Sequence, residues 1–421
     1  MSLSAQMAEI GRTARNAAAA LAQLSAEKKN HALMEAAREI RAQEDSILAA
    51  NKIDMDAAHA LTEALRDRLL LTPTRIESMA AGLEKIATLP DPLGRELAAW
   101  SNPENGLDFQ KISVPLGVIG MIYESRPGVT ADATALAFKA GNAVILRGGS
   151  ESFHSCRAIL AAIHAGFARA GVPTDAAQLV PTTDRDAVAW MLTASGIIDV
   201  IIPRGGRSLT ERVAREARVP TLLHLDGNCH TYLHHAADAA TALRVITNAK
   251  LRRTGICGAT ESLLVDATAP KGMIQNILKN LLDAGCGIRG DAEISALDPR
   301  IIAATEIDWS TEYLAPILSA KMVAGIDEAI AHINRYGSHH TDTILTTDEN
   351  AAQQFCREVD SAIVMVNAST QFADGGEFGF GGEIGIATGR LHARGPVAAN
   401  ELTTYKYIVT TTREGGATRA G

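Results

Sequence analysis

In the stretch "RRTGICGATES", Arg252 to Ser262, one cysteine sits in a short loop with Gly255 before it, Gly258 after it and two arginines upstream. A cysteine there has two readings: a nucleophile that the flanking glycines open to substrate, or a small apolar filler, the commoner use of the residue. The loop falls between a helix expected to end near Lys250 and a strand expected to begin near Thr260. Cys156 and Cys356 fall inside expected helices, Cys286 in a turn and Cys229 beside a strand, which leaves Cys257 best placed for attack. An ordinary thiol, near about 8.5, is only a few per cent thiolate at neutral pH, and bringing it to about 6.5 to 7 takes about 2 to 3 kcal/mol of charge stabilisation. A helix N-terminus gives about 0.3 to 1 kcal/mol. Cys257 follows the C-terminus of its own helix, so Lys250, Arg252 and Arg253 or another helix must supply the rest.

Two glycine pairs suggest anion sites. Gly148 and Gly149 in "ILRGGSES", and Gly205 and Gly206 in "IIPRGGRSLT", each follow an apolar strand and open a helix. Free amides and the helix dipole favour an anion at such a place, although each pair also suits an ordinary strand-to-helix turn. Arg147 and Arg204 stand at the ends of those strands, where a guanidinium could meet a phosphate. By contrast "GCGIRG", residues 285–290, matches the dinucleotide fingerprint by letter but follows a helix, so it is read as a decoy. No P-loop and no H-E-x-x-H occurs, which leaves a P-loop kinase and a zincin unsupported and no metal site expected.

The elements that must position these residues repeat one unit. Residues 1 to about 100 read as helices, with Thr72 and Pro73 marking one start, and "LPDPLG" closes the region. Then "GVIGMIY", "AVILRG", "AQLVPT", "DVIIPR" and "TLLHLD" alternate with helical stretches, and Gly141, Gly171 and Gly196 sit where helices should stop. This is an α/β domain with a mostly parallel sheet, and the second half, from "TESLLVDA" to "SAIVMVNAS", repeats the logic. The end, "ELTTYKYIVTT", is expected to pair with "LDFQKISV" as an arm reaching another subunit.

Composition bounds the function. A chain of 421 residues should hold two or three domains. A net charge of -8 argues against nucleic acid or an anionic membrane as partner, so an anionic substrate must meet a local cluster of cations. Five cysteines without C-x-x-C spacing favour reduced thiols and a cytoplasmic setting. The N-terminus suits an amphipathic helix better than a secretory core, and no apolar run is long enough to span a bilayer.

Several stretches together resemble the aldehyde dehydrogenase superfamily: "YESRPGVTADATALAFKAGNAVILRGGSES", "IPRGGRSL", "HLDGNCHTYL", the cysteine loop, "NASTQFADGGEFGFGGEIGIATGRLHARGP" and "ELTTYKY". "LHARGP" and "GNCH" resemble the branch that reduces gamma-glutamyl phosphate to glutamate 5-semialdehyde in proline biosynthesis. The resemblance implies an α/β fold of two Rossmann-like parallel-sheet domains with a small β oligomerisation arm. It implies residues 1–104 and 116–235 as cofactor-binding domain, 236–398 as catalytic domain, and 105–115 with 399–421 as the arm of a homo-dimer or tetramer. It further implies NADPH as cofactor and an upstream glutamate kinase as a candidate partner. Cys257 matches the catalytic cysteine. Arg147, Gly148, Gly149, Arg204, Gly205, Gly206 and Ser208 match segments lining the cofactor, and Glu312 the glutamate on the nicotinamide ribose. Arg126, Asn228, Lys250 and Arg394 match candidate substrate contacts.

Two departures stand out. His224 occupies the place of the glutamate base that oxidising members use to activate water, which favours a reductase. Gly128 stands where close relatives carry an asparagine that donates to the oxyanion, and loss of such a donor typically costs about 100- to 1000-fold in rate. The rival readings are another acyl-phosphate or aldehyde dehydrogenase, a cysteine hydrolase or acyltransferase, and a binding protein that has lost catalysis.

Overall fold

The computed structural model describes residues 2–223, 226–414 and 416–419. It divides into two compact units, one of Met1–Leu223, Gly379–Gly385 and Val397–Gly421, the other of His224–Phe378 and Ile386–Pro396. In chain order the strands are β1 (Glu96–Asn102), β2 (Leu107–Pro115), β3 (Val118–Tyr123), β4 (Ala143–Gly148), β5 (Ala177–Leu179), β6 (Val200–Arg204), β7 (Cys229–Leu233) and β8 (Thr260–Asp266). There follow β9 (Gly287–Gly290), β10 (Ile302–Ala303), β11 (Ile317–Val323), β12 (Thr341–Leu345), β13 (Ile363–Val366), β14 (Ile386–Ala387), β15 (Gly395–Pro396) and β16 (Thr403–Thr411).

In the first unit a parallel sheet runs in the order β5-β4-β3-β6. All six residues of β3 are buried, as a continuous apolar run in a sheet covered on both faces requires. The helices on it carry their expected end signals. Thr72 accepts from the Arg75 amide at 3.2 Å ahead of the helix Pro73–Thr88, and the helix Phe153–Ala170 stops at Gly171 with φ 63°. A second, antiparallel sheet in this unit has the order β1-β2-β16, with β2 paired to β16 from Pro115↔Thr403 to Leu107↔Thr411. The expected pairing of "LDFQKISV" with the C-terminal strand is therefore made within one chain.

The second unit holds a seven-stranded parallel sheet ordered β10-β9-β11-β8-β7-β12-β13, and a short β14-β15 pair. The boundary falls at residue 223 rather than the expected 235, because β7 joins this sheet between β8 and β12. Of the expected strand "TLLHLD", Thr221 forms a bridge to Ile201 of β6, after the helix Arg207–Glu216, while residues 224 and 225 lie outside the described residues. "GCGIRG" follows the helix Lys271–Asp283 and ends in β9, in keeping with its reading as a decoy. Among the described residues no helix is long and apolar enough to cross a membrane.

Candidate active site

Cys257 lies in the loop between the helix Ala239–Leu251 and β8. The Ala259 amide donates to the Ile256 carbonyl at 3.0 Å, so Cys257 and Gly258 form the two corners of a β-turn. The thiol is half-buried, against a cluster of Ile363, Ala373 and Ile386. Gly227 packs directly on the turn: a Cβ there would stand 2.1 Å from the Cys257 carbonyl oxygen and 2.6 Å from its Cα. Gly258 has a similar constraint, since its own Cβ would meet the Thr370 carbonyl at 3.0 Å. Gly255 faces open space. The glycines around the cysteine thus serve close backbone packing on two sides and openness on one.

Three further residues, none singled out from the sequence, hold this turn. Gln371 donates through Nε2 to the carbonyls of Asn248 (3.0 Å), Ala249 (2.9 Å) and Arg253 (3.4 Å), and accepts from Arg252 at 3.1 Å. It therefore satisfies the orphan carbonyls at the end of the helix, which would otherwise present partial negative charge towards a thiolate. Cys229, wholly buried, donates its thiol to the Cys257 carbonyl at 3.1 Å. Glu261, fully buried in β8, pairs with Lys250 at 2.5 Å. Burial pushes the Glu261 carboxyl up and the Lys250 ammonium opposes that shift. The only sequence signal for Gln371 was its place in the "NASTQFADGG" stretch.

The predicted contacts in this unit divide. Glu312 accepts from the Gly227 amide at 2.9 Å and so stands beside the turn, its carboxyl raised by burial and by Asp226 against the pull of that amide. Asn228 is buried, donates to the carbonyls of Trp309 and Tyr336 at 2.9 Å each, and leaves its Oδ1 unpartnered. Lys250 is wholly buried and paired with Glu261. Arg394 is bound to Asp360 at 2.8 Å, next to β15. His224 lies outside the described residues. His234, His235 and Asp266, at the opposite ends of β7 and β8, have metal-capable atoms within 4.8 Å of one another. The Asp266 oxygens already accept from Thr268, Tyr232 and His235, an arrangement complete as a hydrogen-bond network.

In the first unit the carboxyl ends of β3, β4 and β6 bring together Arg147, Gly148 and Gly149 with Arg204, Gly205, Gly206 and Ser208. Register sets Tyr123 opposite both Gly148 and Arg204. Each helix start carries a carboxylate of the chain itself. Glu124 accepts from the Gly206 amide at 2.9 Å, and Glu151 accepts from the Ser125 amide at 2.6 Å and hydroxyl at 2.8 Å. Ser125 has φ 45°, a strained value for a residue other than glycine, in the turn that leads through Arg126 to Gly128. Arg147 is buried, its basicity lowered by that burial, and it donates to the carbonyls of Gly148 (2.5 Å) and Thr183 (2.8 Å) while its Nε has no partner. Burial raises Asp132 to about 6, against the opposing pull of Arg204.

The edge suits the anionic groups of a dinucleotide in one respect: strand ends meet a helix start there, and Arg147 Nε is a buried guanidinium nitrogen without a partner. Glu124 holds the Gly206 amide and fills the space beside Gly205, so a phosphate at that helix start would have to displace this carboxylate.

A parallel α/β scaffold with a cysteine turn in one unit and a dinucleotide-compatible strand edge in the other defines a nicotinamide-type dehydrogenase architecture, and the chain belongs to the aldehyde dehydrogenase family, whose model matches residues 2–297 and 296–408. Within it, the chain is 56% identical over 409 residues to the gamma-glutamyl phosphate reductase of Paramagnetospirillum magneticum, covering 97% of this chain and 96% of that one. It is 58% identical over 406 residues to the enzyme of the same name from Methylorubrum populi, covering 96% and 94%. The crystal structure of gamma-glutamyl phosphate reductase from Thermotoga maritima superposes with a TM-score of 0.94 at 40% identity, over 97% of this chain and 99% of that one.

Proposed function

We propose that the chain reduces L-glutamyl 5-phosphate to L-glutamate 5-semialdehyde with release of phosphate, the reductive step of proline biosynthesis, through a thioester on Cys257 and with NADPH as cofactor. The observation that carries this reading is the built turn around Cys257 in a chain 56% identical, nearly end to end, to a gamma-glutamyl phosphate reductase. The Cys257 thiolate attacks the acyl carbon, the carbon–oxygen bond to phosphate breaks, and phosphate leaves with that electron pair. NADPH, when bound, supplies the hydride that takes the acyl group to the aldehyde level. Release of the aldehyde returns the Cys257 thiolate.

The chain's residues divide this work. Gln371 and the Lys250–Glu261 pair hold the turn, and Glu312 orients beside it as the ribose contact. Arg204 to Ser208, with Arg147, Gly148 and Gly149, hold the cofactor, and the cation at Arg147 suits a ribose 2′-phosphate. Arg126 and Arg394 meet the anionic groups of the substrate. The acyl phosphate is labile in water, which makes the kinase that forms it the natural partner. A homo-oligomer forms through the β1-β2-β16 sheet, and the reduced cysteines suit the cytoplasm.

The test runs the reaction in reverse with glutamate 5-semialdehyde, phosphate and NADP⁺, following absorbance of the reduced cofactor beside Cys257→Ala. Phosphate-dependent reduction that disappears in the variant is expected. Reduction that needs no phosphate would point instead to an oxidising dehydrogenase, and activity retained in Cys257→Ala would remove the thioester.

A further inference from the structure

We infer that Cys229 is a positioning residue for the nucleophile: its buried thiol locks the central peptide of the turn that carries Cys257. The inference rests on the reading of Cys257 as the attacking group. In a β-turn the peptide between the two corner residues can flip between two forms, which differ by a large rotation about ψ of the first corner, here Cys257. A side chain at the second corner normally forbids one form, because that form needs a positive φ there. Gly258 occupies that corner, keeps a φ outside the left-handed region here, and removes the steric barrier to the flip. The turn therefore needs another restraint.

The atom that would swing is the Cys257 carbonyl oxygen, and it is the atom that accepts from Cys229 Sγ at 3.1 Å. Gly227 closes the other side, its Cα packed so near that a Cβ would sit 2.6 Å from the Cys257 Cα. With the Cα and the carbonyl both held, rotation about the Cα–Cβ bond is the main freedom left to the nucleophilic sulfur. Cys229 is itself fixed as the first residue of β7, opposite Thr260 at the start of β8. The β7–β8 register shifts between Cys229 and His230, with Glu261 the extra residue on β8. Burial, with Asp342 and Cys257 adding to it, pushes the Cys229 thiol well up, so it stays protonated and able to donate. His340 Nδ1, at 3.5 Å, is a second polar contact on the same sulfur.

Three variants separate a hydrogen-bond role from plain packing. Cys229→Ser keeps a donor and loses volume, Cys229→Val fills the space and loses the donor, and Cys229→Ala loses both. Misplacing a reacting group by about 1 Å costs on the order of 100-fold, so Cys229→Val and Cys229→Ala should lower kcat by about 10- to 100-fold with KM nearly unchanged. The rate at which iodoacetamide alkylates the Cys257 peptide, read by mass spectrometry across pH, should fall in the same two variants. Cys229→Ser should stay within a few-fold of the parent on both readouts. A valine variant with full activity, or serine and valine variants equally impaired, would overturn the lock. Cys257→Ala run alongside keeps the two readings apart: if that variant still turns over, the nucleophile assignment fails, whatever Cys229 does.

Discussion

Gly128 is a position where a side chain can be added without disturbing the frame around it. It precedes the helix Val129–Lys139 at φ −59°, a value open to any residue, and offers no side-chain cap. A Cβ there would touch Met79 Sδ at 3.6 Å, an ordinary contact. Gly128→Asn should therefore fold as the parent does and, if the amide reaches the developing oxyanion, raise kcat by about 10-fold or more with KM little changed. Steady-state kinetics with an unchanged kcat would assign the oxyanion to backbone donors instead. At this scale the sequence was legible where a residue type announces itself. Cys257 between glycines and the two glycine pairs are local patterns, visible without coordinates. Gln371 and Cys229 were not, because each acts on a segment distant in sequence: Gln371 caps carbonyls at 248 and 249, and Cys229 reaches back from β7 to the turn before β8. Lys250 looked like a free cation for the opposite reason, since its partner Glu261 reads as an ordinary strand residue until both are seen buried.

The helix Ile326–Tyr336 and the strands beneath it carry a second consequence of burial. His332 on that helix is buried, lies edge-on to His230 and Trp309, and has an unpartnered Nε2. Burial, with His230 adding to it, depresses its pKa to about 3. The unfolded chain takes up a proton near pH 6.5 and the folded chain only near 3, so folding stability falls as the pH drops through that window. By linkage the loss from this one ring reaches about 2 kcal/mol at pH 5. His332→Gln should show a smaller drop in Tm between pH 7 and pH 5 than the parent, whatever its Tm at pH 7. An identical drop would mean that the ring finds a partner for its proton. The elements themselves were largely readable: apolar runs gave the buried parallel strands, and Thr72 with Pro73 and Gly171 gave helix ends. The register break at Cys229 was not, since nothing in a strand's own residues says which neighbour it will skip.

The two-unit division followed from the repeated strand–helix logic, and the pairing of the C-terminal strand with β2 was legible in its β-rich pattern, but the return of residues 379–385 to the first unit was not, because it depends on contacts far along the chain. The sheet β1-β2-β16 carries a consequence of its own. Its outer strands expose Trp100, Tyr405, Tyr407 and Val409, with Trp100 stacked on Phe109 at 5.2 Å. An aromatic sheet exposed to this degree is what a second copy of the chain would cover. Trp100→Asp with Val409→Asp should lower the molar mass in light scattering while leaving far-ultraviolet circular dichroism unchanged. An unchanged mass would place the contact elsewhere.

The pairing of β2 with β16 has one more consequence, in the order of events as the chain leaves the ribosome. Residues 107–115 emerge with β1 and meet it at once, yet their other neighbour, residues 403–411, follows only after the whole of the second unit's parallel sheet has been made. Until then the hairpin presents an open strand edge carrying Phe109 and Ile112, the kind of surface that pairs with the wrong chain. Residues 403–411 therefore act as a closing strip, and a nascent chain stalled short of Thr403 should be held by chaperones where one extended well past Thr411 is released.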